Sequence, residues 1–134
     1  MSKKYTKVMG FGTFDGLHPG HLFFIDQLRA LGNELTLVVA RDVNVEKIKG
    51  KQPKWKEKDR LQALRRLDPV DEVILGNFED FYQCIRDHEP QVIGLGYDQK
   101  ADEERLVQEF PEIELVRLEA FEPERYKSSL LNNK

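Results

Sequence analysis

The chain has few of the residues that build disulfides, metal centres or membrane spans. Its 134 residues include one cysteine (Cys84), one tryptophan and three histidines. A lone cysteine excludes an intramolecular disulfide, and without a His-Cys cluster we expect no metal site made of protein ligands. There is no apolar run of 18 residues, and the basic start Met1–Lys4 is not followed by the apolar run of a signal peptide. We therefore expect a cytoplasmic protein that does not bind a membrane.

An excess of positive charge is also missing. The 21 lysines and arginines are offset by 24 aspartates and glutamates, which gives a formal net charge of −3 at pH 7. The two signs are interspersed along the chain, so the sequence predicts no general nucleic-acid-binding surface. The length predicts a single domain covering residues 1–134.

Short apolar runs alternate with stretches of helical periodicity. The predicted strands are residues 7–11, 34–40, 72–75, 92–95 and 113–116, and the predicted helices are residues 19–31, 57–67, 78–88 and 102–110. Residues 41–55 have no apolar period, and we predict a loop there with at most a short helix around Val45–Lys49. The alternation predicts an α/β fold, a Rossmann-like doubly wound five-stranded parallel sheet with helices on both faces. Ligands of such sheets bind at the carboxyl ends of the strands.

A ten-residue stretch from Gly12 to His21 joins the first strand to the first helix. It reads Gly-Thr-Phe-Asp-Gly-Leu-His-Pro-Gly-His. Pro19 suits the first turn of a helix, where we expect unpaired N–H groups to favour an anion, phosphate above all. His18 and His21 are three positions apart and can project toward the same space, where an imidazole can donate to a phosphate oxygen or stabilise its charge. The structural alternative is a histidine pair that only holds a glycine-rich turn together.

This stretch resembles the first motif of the cytidylyltransferase-like nucleotidyltransferases, Gly-Thr-Phe-Asp followed by His-x-Gly-His. The resemblance implies that His18 and His21 hold the nucleotide phosphates and stabilise the transition state at the α-phosphorus. We take Asp15 as a residue that positions the acceptor or a metal-bound water. The resemblance also implies nucleotide binding by four further residues of the stretch, Gly12, Thr13, Phe14 and Gly20.

Two lysines, Lys47 and Lys49, follow the second predicted strand. A polar loop carrying lysines can fold over a triphosphate and neutralise its charge. Taken alone, the pattern is explained better by a solvated basic loop. Related cytidylyltransferases have phosphate-contacting lysines in this loop, so the resemblance implies a catalytic role for Lys47 first and substrate binding by Lys49 second.

Arg60 and Trp55 lie at the start of the next predicted helix. The acidic residues Glu57 and Asp59 are explained there by the helix dipole. Arg60 occupies the place of an arginine that the family keeps at its site, which implies contact with the acceptor phosphate. Trp55 is either a packing anchor or a stacking partner for an aromatic acceptor.

The segment Gly96-Tyr97-Asp98-Gln99 follows the fourth predicted strand, which should lie beside the first. In this position it resembles the family's nucleotide-binding loop and implies nucleotide contacts by Gly96, Tyr97 and Asp98. Its Gly-Tyr-Asp-Gln form resembles the small archaeal-type FAD synthetases, which adenylylate FMN.

Near the end of the chain, Arg125, Ser128 and Ser129 resemble the family's last motif, a hydroxyl pair that begins a helix beside a basic residue. The resemblance implies that they bind the nucleotide triphosphate, and the alternative is a simple helix N-cap. The family usually has a basic residue directly after the pair, whereas this chain has Leu130 and Leu131.

Taken together, the resemblance implies a nucleotidyltransferase in which an acceptor phosphate oxygen attacks the α-phosphorus of a nucleoside triphosphate and pyrophosphate leaves. We expect AMP transfer from ATP to FMN, giving FAD, with Mg²⁺ bound through the nucleotide phosphates. One alternative is a CTP-dependent cytidylyltransferase for glycerol 3-phosphate or a similar polyol phosphate, and another is a non-catalytic nucleotide-binding module. The resemblance also implies a homodimer formed through the face near the first helix, and the adjacent Phe23 and Phe24, one of which should face away from the local core, are in keeping with it.

Overall fold

The computed structural model describes residues 5–67, 70–76, 82–96 and 103–119. The strands are β1 (Tyr5–Gly12), β2 (Gly32–Val39), β3 (Glu72–Leu75), β4 (Val92–Leu95) and β5 (Glu114–Arg117), and the helices are α1 (Pro19–Leu31), α2 (Asp42–Lys49), α3 (Glu57–Arg65), α4 (Gln83–His88) and α5 (Glu103–Glu109). The five strands are all parallel and form one sheet in the order β3-β2-β1-β4-β5. The predicted fold class is therefore confirmed.

The sheet separates the buried side chains into two layers, because successive strand residues point to opposite faces. On one face, Val8 of β1 belongs to a cluster with Leu28 of α1 and Leu64 of α3. On the other face, Met9 belongs to a cluster with Ile85 of α4 and Leu106 of α5. Helices thus cover both faces, as expected for a sheet whose strands are nearly continuous apolar runs.

Helix α1 lies very close to the sheet, over two neighbouring glycines. Gly10 of β1 pairs with Gly94 of β4. A Cβ at Gly10 would lie 2.4 Å from a methyl carbon of Leu28, and a Cβ at Gly94 would lie 2.2 Å from the other. No real Cβ tolerates such distances, so these glycines let Leu28 pack directly against the backbone of the sheet. The contact fixes the height of α1 above β1 and β4.

The chain changes direction between β1 and β4. It runs from β1 outward through β2 and β3, and then returns to β4 on the other side of β1. The carboxyl ends of β1 and β4 therefore meet at a topological switch point, where open α/β sheets bind their ligands. The Gly12–His21 stretch and Gly96 both lie at this point.

The short helix allowed around Val45–Lys49 is present as α2, but it begins earlier than predicted and occupies Asp42–Lys49. Val45 is the one residue of α2 that is fully buried. A helix with so little contact to the core has no apolar period for a sequence to display. It ends at Gly50, whose φ of 77° is the left-handed conformation that glycine adopts readily after a helix.

Candidate active site

His18 and His21 cap the N-terminus of α1 reciprocally. Nδ1 of His18 accepts a hydrogen bond from the N–H of Gly20 at 3.1 Å, and Nδ1 of His21 accepts one from the N–H of His18 at 3.2 Å. The pair forms a capping box, a role usually taken by Ser or Thr with Glu or Gln. The two rings also stack, with their centroids 3.7 Å apart and an angle of 22° between their planes.

These and neighbouring hydrogen bonds pair the N–H groups at the start of α1. Besides the two Nδ1 bonds, the N–H of His21 donates to the carbonyl of His18 at 2.9 Å, and Pro19 has no N–H to offer. The expectation that unpaired first-turn N–H groups would face a phosphate is therefore wrong at these positions. An anion above α1 would meet the imidazoles first.

The capping bonds also determine which imidazole nitrogen carries the proton and can act as a donor. An Nδ1 that accepts a hydrogen bond from the backbone cannot carry a proton, so a neutral ring carries its proton on Nε2. Within the part of the chain that the structure describes, no hydrogen bond occupies Nε2 of either ring. Both rings can therefore offer an Nε2–H to a ligand.

His21 is neutral at physiological pH. Burial is the largest cause that lowers the pKa of His21 to about 4; the charges of His18 and Lys49 also lower this pKa, and Asp15 acts in the opposite direction. Its ring lies edge-on to the buried ring of Phe14, with the centroids 5.7 Å apart. Its chemistry is consequently that of a hydrogen-bond donor and not that of a fixed cation.

Phe14 and Gly12 pack the Gly12–His21 stretch against the core. Phe14 is 3% exposed and packs in the core near Phe24, although its φ of 55° lies in the left-handed region. A Cβ at Gly12 would lie 2.8 Å from the Phe14 ring. The ring of Phe14 is enclosed by the core, so the nucleotide binding predicted for Phe14 would have to use its backbone. Holding an aromatic residue in this backbone conformation costs about 1–3 kcal/mol, which the surrounding packing must offset.

Asp15 binds the segment that leads into α3. Its two carboxylate oxygens accept hydrogen bonds from the N–H groups of Lys54 and Trp55, at 2.7 and 2.8 Å. Burial acts to raise the pKa of Asp15, but these two bonds and the positive charges of Arg60 and Lys54 outweigh it and lower the pKa below its ordinary value. The carboxylate is therefore ionised near neutral pH, and it fastens the first motif to the residues around Trp55.

Arg60 is completely buried and lies beneath the same loops. Its guanidinium donates to the carbonyls of Thr13, Ala40 and Trp55 at 2.8–3.0 Å and to a carboxylate oxygen of Asp42 at 2.6 Å. The predicted contact of Arg60 with an acceptor phosphate is not what the structure shows, because none of its surface faces solvent. A buried guanidinium needs such partners, since leaving it unpaired would be costly.

Asp42 and Glu57 complete this network, and sequence reasoning missed the part they play. Each carboxylate accepts the N–H of the other residue, at 2.9 and 3.2 Å, so α2 and α3 cap each other. An acidic residue at a helix start was the only signal available, and it did not reveal that the two helix starts face each other.

The two candidate lysines differ in their relation to the histidines. Lys49 is close enough to His21 to lower its pKa, whereas Lys47 makes no such contribution. Residues two positions apart on a helix point in nearly opposite directions, so α2 cannot present both lysines equally to one ligand. Lys49 also shares a face with the buried Val45, four positions earlier.

On the other side of the switch point, Gly96 directly follows β4. Its carbonyl accepts a hydrogen bond from Arg117 at 2.6 Å. Tyr97, Asp98, Arg125, Ser128 and Ser129, which the sequence assigned to nucleotide binding, lie outside the described residues.

The described ranges contain neither a cluster of metal ligands nor a membrane span. No group of three or more His, Cys, Asp or Glu residues there could hold a metal ion. No helix there is both long and apolar enough to cross a membrane.

Comparison with known proteins identifies relatives over most of the chain. A family model described as cytidylyltransferase-like matches residues 9–131. A protein named FAD synthase from Aciduliprofundum boonei is 43% identical over 119 residues, which cover 86% of this chain and 79% of that protein. Another FAD synthase, from Methanolacinia petrolearia, is 38% identical over 127 residues, covering 92% of this chain and 84% of that protein.

Solved structures agree with these matches. The crystal structure of the lipopolysaccharide core biosynthesis protein from Thermoplasma volcanium has a TM-score of 0.81 at 36% identity, covering 88% of this chain and 99% of that chain. A pantoate-beta-alanine ligase from Francisella tularensis shares the fold, with a TM-score of 0.57 at 15% identity over 84% of this chain and 59% of its own. The match of the family model, the archaeal relatives and the histidine pair at the switch point agree, and the chain belongs to the cytidylyltransferase-like family.

Proposed function

We propose that the protein is an FMN adenylyltransferase, which transfers AMP from ATP to FMN and releases pyrophosphate. The observation that carries the proposal is the stacked pair of His18 and His21 at the switch point of the sheet, in which each Nδ1 is engaged by the backbone and Nε2 is left to donate. The relatives named FAD synthase, 43% and 38% identical, support the choice of AMP and FMN.

The reaction is a single displacement at phosphorus. An oxygen of the FMN phosphate forms a bond to the α-phosphorus, the bond between that phosphorus and the bridging oxygen breaks, and the electron pair leaves with pyrophosphate. Charge grows on the equatorial oxygens of the α-phosphate as this happens. Donors held in place before the reaction stabilise such charge without having to reorganise. The Nε2–H groups of His18 and His21 supply two such donors, and the backbone caps hold both rings in position.

A neutral His21 suits this role. It donates a hydrogen bond in both the ground state and the transition state, and the bond strengthens as the oxygen becomes more negative. No proton has to move for the displacement to occur, because the FMN phosphate is already an anion. We therefore assign to the imidazoles a role in orientation and charge stabilisation.

Lys49 is the lysine that we assign to the triphosphate, ahead of Lys47. Its charge acts on His21, so it lies on the side of α2 where a phosphate bound to the imidazoles would be. Among the residues outside the described ranges, we keep Tyr97 and Asp98 as nucleotide-binding residues. Arg125, Ser128 and Ser129 likewise remain proposed contacts of the β- and γ-phosphates.

ATP is proposed to enter with Mg²⁺ on its phosphates. The ion would neutralise phosphate charge and favour departure of pyrophosphate. Mg²⁺ keeps most of its waters and needs few protein ligands when a nucleotide carries it, so a site without a carboxylate cluster in the described residues fits this mode of binding. A homodimer formed through α1 and a cytoplasmic location also remain proposals, and sedimentation would test the first of them.

Pyrophosphate release provides the test. ATP and CTP are each combined with FMN and with glycerol 3-phosphate in the presence of Mg²⁺, and FAD is measured directly in the wells that contain ATP and FMN. Release with ATP and FMN alone, together with stoichiometric FAD, is the expected result. Release with CTP and glycerol 3-phosphate would overturn the choice of substrates. Nucleotide binding without turnover in any well would mean that the protein is a nucleotide-binding module and not an enzyme.

A further inference from the structure

The backbone of Trp55 is held at both of its polar atoms. Its N–H donates to Asp15 at 2.8 Å, and its carbonyl accepts from Arg60 at 3.0 Å. The side chain of the same residue is 39% exposed. Trp55 thus presents an exposed, flat apolar side chain from a backbone segment that is held at both polar atoms.

The two residues that bind the backbone of Trp55 also connect it to the Gly12–His21 stretch. Asp15 is itself part of the Gly12–His21 stretch, and Arg60 donates to the carbonyl of Thr13 in that stretch at 2.8 Å. The backbone of Trp55 is thus tied to the stretch that carries the histidines through two independent connections. One is a surface carboxylate and the other is a buried guanidinium.

We infer that Asp15 and Arg60 are positioning residues that set Trp55 as the wall on which the planar part of the acceptor stacks. The inference rests on the proposed function as far as the acceptor is concerned, since a polyol phosphate has no ring to stack. Tryptophan presents a large π face to an isoalloxazine ring system, and an offset stack needs the correct height and tilt of that face. A tryptophan that moved freely would lose part of this advantage through the entropy of ordering it on binding.

The sole tryptophan of the chain reports on its own position. We would measure acrylamide quenching and fluorescence anisotropy of Trp55 without any ligand, in the wild type and in Asp15→Asn and Arg60→Lys. Asparagine keeps one acceptor oxygen and loses the other, so one of the two backbone bonds breaks. Arg65→Lys is the matched control, because Arg65 lies on the same helix and donates to the distant Val73 carbonyl at 3.1 Å.

Faster quenching and lower anisotropy are expected in Asp15→Asn and not in Arg65→Lys. Unchanged fluorescence in a folded Asp15→Asn protein would overturn the positioning role, whatever the enzyme does. If Arg60→Lys fails to fold, Asp15→Asn still tests the positioning role, because the hydrogen bonds of Asp15 are exposed to solvent and not buried.

Kinetics then test the acceptor. The KM for FMN is expected to rise about tenfold in Asp15→Asn, as the loss of one charge-assisted hydrogen bond would cause, and to rise more than the KM for ATP. Trp55→Ala should raise the KM for FMN in the same way, and Trp55→Phe should restore most of it. Equal increases in both KM values, or a Trp55→Ala enzyme with normal FMN affinity, would overturn the stacking wall. A wild-type protein that does not turn over FMN would instead contradict the proposed function. The fluorescence result would still test whether Asp15 positions Trp55.

Discussion

His18 and His21 both bind the backbone at the start of α1: the Nδ1 of His21 accepts the N–H of His18 at 3.2 Å, while the Nδ1 of His18 accepts the N–H of Gly20 at 3.1 Å. Each ring therefore has one nitrogen engaged in holding α1 and one nitrogen available to a ligand. Structural and chemical roles are usually treated as alternatives for such a pair. Here they belong to different atoms of the same rings and can be separated by substitution.

Asparagine should separate the two roles. Its Oδ1 takes the place of Nδ1 as a cap acceptor, but nothing replaces Nε2–H. We expect His18→Asn and His21→Asn to unfold near the wild-type temperature and to lose about 10²-fold or more in turnover.

The alanine variants supply the comparison. They remove the cap as well as the donor, so they should also lose about 1 kcal/mol of stability. Thermal unfolding and steady-state kcat measure the two effects separately. An asparagine variant with normal turnover would show that Nε2 has no catalytic function.

The pH dependence of stability should reveal the neutral state of His21. Its pKa is about 4 in the folded protein and 6.5 for an ordinary histidine. Between these values the unfolded chain binds a proton that the folded protein does not, so the free energy of unfolding falls as the pH is lowered from about 6.5 to about 4. Urea unfolding at several pH values should show this decrease in the wild type and a smaller one in His21→Asn. A His21 imidazole that titrates near 6.5 by NMR would contradict the assignment.

Much of the fold could be predicted because apolar runs mark the strands directly. The runs at β1, β2, β3, β4 and β5 were identified within one or two residues of their observed bounds. Parallel pairing followed from the helices between them. Helix α2 was predicted only as a short helix around Val45–Lys49. Val45 is its only fully buried residue, and a single buried residue makes no period.

The residues of the site were harder to interpret than their location. Sequence patterns placed Arg60 and Asp15 at the switch point, where they are found. They could not tell that Arg60 faces inward to three carbonyls, since burial and the identity of hydrogen-bond partners depend on loops that meet only in the folded chain. A motif thus predicted which residues gather at the site and not which of them face the ligand.

The close approach of α1 to the sheet should make Gly94 intolerant of even a methyl group. Gly94→Ala would place a Cβ 2.2 Å from Leu28, and overpacking of this kind costs about 1–3 kcal/mol. Gly76→Ala is the control, because its Cβ would lie 3.5 Å from the nearest atom, an ordinary contact distance. Combining Gly94→Ala with Leu28→Ala should cost less than the sum of the single changes, since the removed side chain makes room for the added one. Additive losses in urea unfolding would mean that the two residues do not compete for space.

Lys49 and Lys47 can be distinguished without relying on turnover. The charge of Lys49 lowers the pKa of His21, so Lys49→Ala should raise that pKa toward its ordinary value, while Lys47→Ala should leave it unchanged. NMR titration of the His21 ring in the two variants measures this directly. If the same charge faces the triphosphate, Lys49→Ala should also lower kcat/KM for ATP by about tenfold or more, and Lys47→Ala should lower it less. A larger loss in Lys47→Ala would mean that α2 turns its other face to the nucleotide when it binds, because both lysines cannot face one ligand from a regular helix.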